Sequence, residues 1–158
     1  MIKRKTRNFE KLVKRLKELN NAKVKSGYFP EQGIHSTAEM PYAELAFIHA
    51  KGEGDLPIRD VRPSVLTYLR QPVFNKTLEV NIKAYLSGKV SLDSFLDGFG
   101  YRITDIAQSY FGDPDVLAAN SAYWAAQKGG NTPLVFEGEL RDAWSFKTSV
   151  NDTVRGIM

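Results

Sequence analysis

Lys128-Gly129-Gly130-Asn131-Thr132-Pro133-Leu134-Val135-Phe136-Glu137-Gly138-Glu139-Leu140-Arg141-Asp142-Ala143-Trp144-Ser145-Phe146 decides the fold class. Gly129, Gly130 and Asn131 tolerate positive φ, and Pro133 fixes φ before Leu134 is presented to a core. Gly138 lets the backbone change direction again. Beyond it Trp144, Phe146, Thr148 and Val150 alternate with Ser145, Lys147, Ser149 and Asn151, the period-2 pattern of a half-buried strand. A chain that ends in turn and strand needs a partner strand upstream.

Residues 22–29 supply it. Val24, Ser26 and Tyr28 alternate with Lys23, Lys25 and Gly27 until Phe29-Pro30 stops regular pairing. Residues 30–40 are polar turn material and read as a loop projecting from that strand. Pro41 opens a short helix, Tyr42 to His49, which Gly52-Glu53-Gly54 ends. From Pro63 a longer helix is expected, with Val65, Leu66, Leu69 and Phe74 as core contacts, Pro72 as a kink or break, and continuation through Leu78, Ile82 and Leu86. Gly88 separates it from a second helix over about 91–111, whose stripe is Leu92, Phe95, Leu96, Phe99, Ile103, Ile106, Ala107 and Tyr110. Gly98 and Gly100 either weaken that helix or permit close packing. Residues 112–127 read as a connector of helical tendency interrupted by Asn120-Ser121.

At the other end, Phe9, Leu12, Val13, Leu16 and Leu19 recur at helical spacing among basic residues, and Asn20-Asn21 provides a stop. Residues 1–21 thus form a basic amphipathic N-terminal helix. The expected fold is one α+β domain over 1–158: a small, mostly antiparallel sheet packed against two longer helices plus that N-terminal helix. The expected core comprises Phe9, Leu12, Leu16, Val24, Phe47, Leu66, Leu69, Phe95, Phe99, Ile103, Ile106, Trp144 and Phe146.

The 158 residues suffice for a core, and 42% hydrophobic with 11% aromatic content suits a folded chain. Absence of cysteine excludes disulfides and thiolate chemistry. With no long apolar run and no secretory pattern, the chain is expected to stay in the cytosol and away from membranes. The net charge of +4 is unevenly placed: residues 1–25 hold ten Lys and Arg against two Glu, leaving the remainder mildly acidic. Such asymmetry suits a charged partner, nucleic acid or an acidic protein surface.

The order of segments resembles a tailed-phage tail-completion, or neck, protein family. Its pattern runs from a "V-x-V-G" strand through an alanine-rich helix, an acidic-aromatic-glycine step and an Ile-Pro-x-Arg-Pro segment to "KG-x-x-PL-x-x-TG-x-L" and a strand "S-I-x-Y". The chain offers Val24-Lys25-Ser26-Gly27, the Tyr42–His49 helix, Glu53-Gly54, Leu56-Pro57-Ile58-Arg59-Asp60-Val61-Arg62-Pro63 and the C-terminal run. It departs at the missing aromatic between Glu53 and Gly54, the stretched Pro57–Pro63 spacing, and Phe136-Glu137. The resemblance implies a ring-forming virion component at the head–tail junction. Its partners there would be portal, connector or adaptor proteins on one side and tail terminator or tail tube proteins on the other, around a channel that passes phage DNA. It implies no reaction.

Candidate contacts with a DNA channel or partner are Lys3, Arg4, Lys5, Arg7, Lys11, Lys14, Arg15 and Lys17. Candidate interface residues are His35, in its polar loop, and Tyr123 with Trp124, which suit a subunit interface or equally a core. The second reading of the whole chain is a small nucleic-acid-binding protein using the basic helix. Catalysis has little to stand on: His49, Glu53 and Asp55 have metal-ligand types, but Gly52 breaks the helix between them. Asp93 and Asp97 fit a solvated helix face. No P-loop or dinucleotide fingerprint is present. No catalytic, cofactor or metal site is expected.

Overall fold

The computed structural model describes residues 2–135 and 137–156, with the side chains of residues 2–7 left aside. Helix α1 (Ile2–Asn21) leads into strand β1 (Val24–Gly27) and a 3-10 turn (Pro30–Gln32). Then come α2 (Tyr42–Lys51), α3 (Arg62–Leu69), α4 (Pro72–Ser87), α5 (Leu92–Ser109), α6 (Ala122–Lys128) and α7 (Glu139–Asp142). Strands β2 (Ser145–Thr148) and β3 (Arg155–Gly156) close the chain. The architecture is α+β, as the C-terminal run required.

The sheet has order β1-β2-β3, antiparallel throughout, with Val24 opposite Thr148, Ser26 opposite Phe146, and Phe146 opposite Arg155. It lies on α5, and Gly100 is the reason it lies so close. A Cβ built on Gly100 would collide with the Phe146 ring, so the missing side chain sets the helix–strand distance. Phe146 is 0% exposed, with Tyr101 edge-on at 4.8 Å and the Arg155 guanidinium 5.0 Å over its ring. Arg155 is itself held by Asp97 and by Thr148 Oγ1 at 3.2 Å.

All four residues of β2 are buried, where a half-buried strand was expected. The second face is roofed by the 3-10 turn. Lys147 lies beneath it, 5.2 Å over the Phe29 ring, with Nζ 2.6 Å from Glu31 and 3.8 Å from Asp152. Its aliphatic stem fills space while its ammonium reaches carboxylates at the rim. Val150, past the strand, is exposed.

Local chemistry fixes the helix boundaries. Pro72 breaks rather than kinks, beginning α4 where its missing N–H is harmless. Gly88, in the left-handed region at φ 81°, ends α4, and Ser91 caps α5 by accepting from Ser94 N at 3.1 Å. Asn120-Ser121 does not interrupt a helix; it starts one. Ser121 Oγ accepts from Trp124 N at 3.3 Å, and Gly129 at φ 71° closes α6.

Two apolar clusters result. One joins Val61, Val65, Ile103, Ala107, Phe111, Leu117, Leu140 and Trp144; the other joins Tyr85, Phe95 and Leu96 between α4 and α5, where Val24 also packs. Five expected core residues are instead exposed: Phe9, Leu12, Leu16, Phe47 and Leu66. In α1 the cause is positional. Leu19 and Ala22 pack on the second cluster, whereas Phe9, Leu12 and Leu16 are not among the residues packed on it. Phe95, Ile103, Ile106, Trp144 and Phe146 are buried as expected. Val24, Leu69 and Phe99 are partly buried against the clusters.

Candidate functional site

Two surfaces and one cleft collect the residues singled out in the sequence. The first surface is α1. Arg15 is not free for a partner: its Nη1 donates to Leu86 O at 3.0 Å, a cation on the last carbonyls of α4, and its guanidinium fills the space over Gly88. Tyr85 OH, in turn, donates to Glu18 Oε2 at 2.7 Å. These bonds clamp the last turns of α1. Lys11, Lys14 and Lys17 are exposed, with Lys14 3.8 Å from Glu18. The side chains of Lys3, Arg4, Lys5 and Arg7 lie outside the described residues. Between the lysines stands an uncovered apolar stripe of Phe9 at 66% exposure, Leu12 and Leu16.

The second surface is the aromatic pair on α6. Tyr123 and Trp124 are 67% and 55% exposed and meet edge-to-face at 5.7 Å. The core alternative for them fails, because α6 stands outside both clusters.

His35 is drawn inward. Its ring sits edge-on to Tyr42 at 5.8 Å, its Nδ1 accepts from Thr37 N and Ala38 N at 3.3 and 3.2 Å, and Glu139 Oε2 is 3.9 Å away. Glu139 gathers the whole loop: Oε1 accepts from Ser36 N at 2.8 Å and Tyr42 OH at 2.5 Å, and Oε2 from Ser36 Oγ at 2.5 Å. Gln32 adds a bond from Nε2 to Ser145 Oγ at 3.0 Å and another to Ala143 O. The 30–40 segment is therefore fastened to the 139–145 region rather than projecting, and His35 lies within that fastening.

The Ser36 hydroxyl, the Tyr42 hydroxyl and the Ser36 N–H hold the Glu139 carboxyl down to about 2, with the nearby His35 adding to the effect. The same bond pushes Tyr42 up to about 12, with burial reinforcing it. Because Glu139 is depressed in the folded state, its stabilising contribution is complete above its ordinary range near 4.5 and is lost as pH falls towards 2. Urea midpoints for wild type and Glu139→Gln should therefore differ at pH 6 and converge between about 4.5 and 2. Parallel curves across that window would contradict the assignment.

Behind Glu139 opens a cleft of 660 Å³ that contains both histidines, Trp124 and Lys128. Arg59, from the segment before α3, is only 8% exposed; its Nε and Nη2 donate to Ala118 O and Ala119 O, each at 2.7 Å. Lys128 Nζ donates to Val135 O at 3.1 Å. Leu134, on the cleft wall, holds a left-handed φ of 60°, a strained conformation for leucine. Burial lowers His49, with the Arg59 and Lys128 charges adding to the effect. Burial likewise lowers Lys128, with Arg59 contributing, and lowers Arg59.

Read from the sequence, Arg59, Asn120 and Lys128 had no role in a site. Residues 59, 120 and 128 share no periodic pattern; the one available signal was Arg59 directly after the apolar run Leu56-Pro57-Ile58. His49, Glu53 and Asp55 form no metal cluster, and among the described residues no group of three metal-ligating side chains occurs. Nor, among those residues, is any helix long and apolar enough to cross a membrane. Comparison with protein-family models, curated proteins and solved structures finds no match for this chain.

Proposed function

We propose that this chain is a structural component of a tailed-phage virion, forming a ring at the neck in tail completion or head–tail joining. The observation that carries the reading is the uncovered stripe of Phe9, Leu12 and Leu16 on a helix that, among the described residues, is clamped by its last turns. A solitary chain has no use for such a stripe, and apolar helix faces of this kind mark association surfaces. A closed ring needs two different patches on each subunit. The Tyr123–Trp124 pair offers an aromatic second one. Charge supports the pairing, since α1 is basic and the rest of the chain carries an excess of carboxylates. The resemblance supplies the neighbours: portal, connector or adaptor on one side, tail terminator or tail tube on the other, in the virion after assembly in the host cytoplasm. The role requires no catalysis and no cofactor.

Light scattering coupled to size exclusion, at rising concentration and at low and high salt, tests it. Wild type associates, and the double substitution Phe9→Asp, Leu12→Asp gives a monomer with unchanged circular dichroism. A chain that stays monomeric throughout yet binds duplex DNA, with affinity falling steeply as salt rises, belongs to the nucleic-acid reading instead.

A further inference from the structure

Arg59 is a buried cation without a counterion among the described residues. Among the described residues no carboxylate lies within 4.0 Å of its guanidinium, although the cleft wall includes Asp55, Glu137 and Glu139. Glu139 is already occupied by Ser36 and Tyr42. Nε and Nη2 of Arg59 are spent on the Ala118 and Ala119 carbonyls, while Nη1, which is not among the buried unpartnered atoms, is open to solvent and to a ligand. Two further polar atoms of the same cleft, His49 Nδ1 and Asn120 Nδ2, are buried without a hydrogen-bond partner. Lys128 adds a second cation to the wall. A buried charge with no counterion and buried polar atoms with no partner are costly unless something completes them.

We infer that this cleft binds an organic carboxylate. Its oxygens take the free guanidinium N–H groups of Arg59 and the Asn120 amide. Its apolar body lies against Leu45, Leu56 and Leu134. A guanidinium fork suits carboxylate geometry, and a mainly apolar wall with few convergent donors is the make-up of a ligand site. Two carriers present this chemistry: a small free acid, or a glutamate flanked by leucines in a partner chain. The inference does not rest on the neck reading.

The test is an NMR titration of the full chain with 3-phenylpropionate, with its neutral analogue 3-phenylpropanol, and with a capped leucine-flanked glutamate peptide. The acid shifts the Asn120 side-chain amide and the His49 ring signals. It also raises the pH at which His49 titrates, because the added negative charge offsets Arg59 and Lys128. The alcohol binds at least about tenfold more weakly, the factor expected of one charge-assisted hydrogen bond. Asn120→Ala, which removes no existing side-chain bond of the folded chain, weakens the acid while leaving the alcohol unchanged. Arg59→Gln abolishes the preference for acid over alcohol; should the loss of its two carbonyl bonds unfold the chain, the comparison on wild type still decides. Tighter binding of the peptide assigns the site to a partner's acidic side chain, and tighter binding of the free acid to a small metabolite. Equal binding of acid and alcohol, or no response of Asn120 and His49 to any of them, overturns the inference.

Discussion

Phe146→Ala lowers stability by about 3–5 kcal/mol, the range for emptying a fully buried phenylalanine site. For a chain of this size that moves the melting temperature down by roughly 6–20 °C. The large value follows from where the ring sits. It has Gly100 beneath it, Tyr101 on its edge and Arg155 across its face, so truncation removes three contacts at once. It also leaves the guanidinium of Arg155 over an apolar void. The neighbours resist collapse into the space, since Tyr101 belongs to α5 and Arg155 is tied to Asp97. Urea or thermal unfolding followed by circular dichroism measures it. A loss below about 1 kcal/mol would mean that the sheet does not rest on this ring.

Gly100→Ala is the reverse experiment. In the interior of an exposed helix the change would gain about 1 kcal/mol of helix propensity. Here the new methyl enters the space of the Phe146 ring, and overpacking of a fixed core costs about 1–3 kcal/mol, more where the backbone itself must move. Because the collision is with the body of the ring rather than with a flexible tip, the cost exceeds the gain, and we expect net destabilisation of up to about 2 kcal/mol. A double-mutant cycle separates the two terms: in a Phe146→Leu background the methyl has room, so the cost of Gly100→Ala shrinks or changes sign, with a coupling of about 1–3 kcal/mol. Additivity of the two changes would show that they do not touch.

What the sequence disclosed, and what it concealed, follows from the range of the interactions. Pro72 as a kink or break, the stop at Gly88 and the long helix to Ser109 rest on local backbone chemistry and were legible; the pairing of β1 with β2 joins opposite ends of the chain and was legible only through the period-2 pattern of each strand. Gly100 was ambiguous because a glycine in a helix looks like weakness until the ring opposite it is known. Asn120-Ser121 misled by composition: serine before an alanine-rich run signals a helix start, and reading it as an interruption ignored its capping hydroxyl. The stripe on α1 was legible as periodicity, but periodicity says that a face is apolar and not what covers it. The cleft was least legible, since Arg59, Asn120 and Lys128 come from three separate segments brought together only by the tertiary fold. The Glu139 cluster was hidden likewise, because Ser36 and Glu139 are 103 residues apart in the chain.

The placing of β2 between β1 and β3, under α5 and roofed on its other face, also sets a timescale. Amide protons there reach solvent only when the whole molecule opens, whereas those of α1 upstream of its clamp exchange by local fraying. Deuterium uptake on one sample thus yields two free energies: total stability from residues 145–148, and the cohesion of the N-terminal arm from residues 8–14. Association through that arm slows uptake in the second set alone.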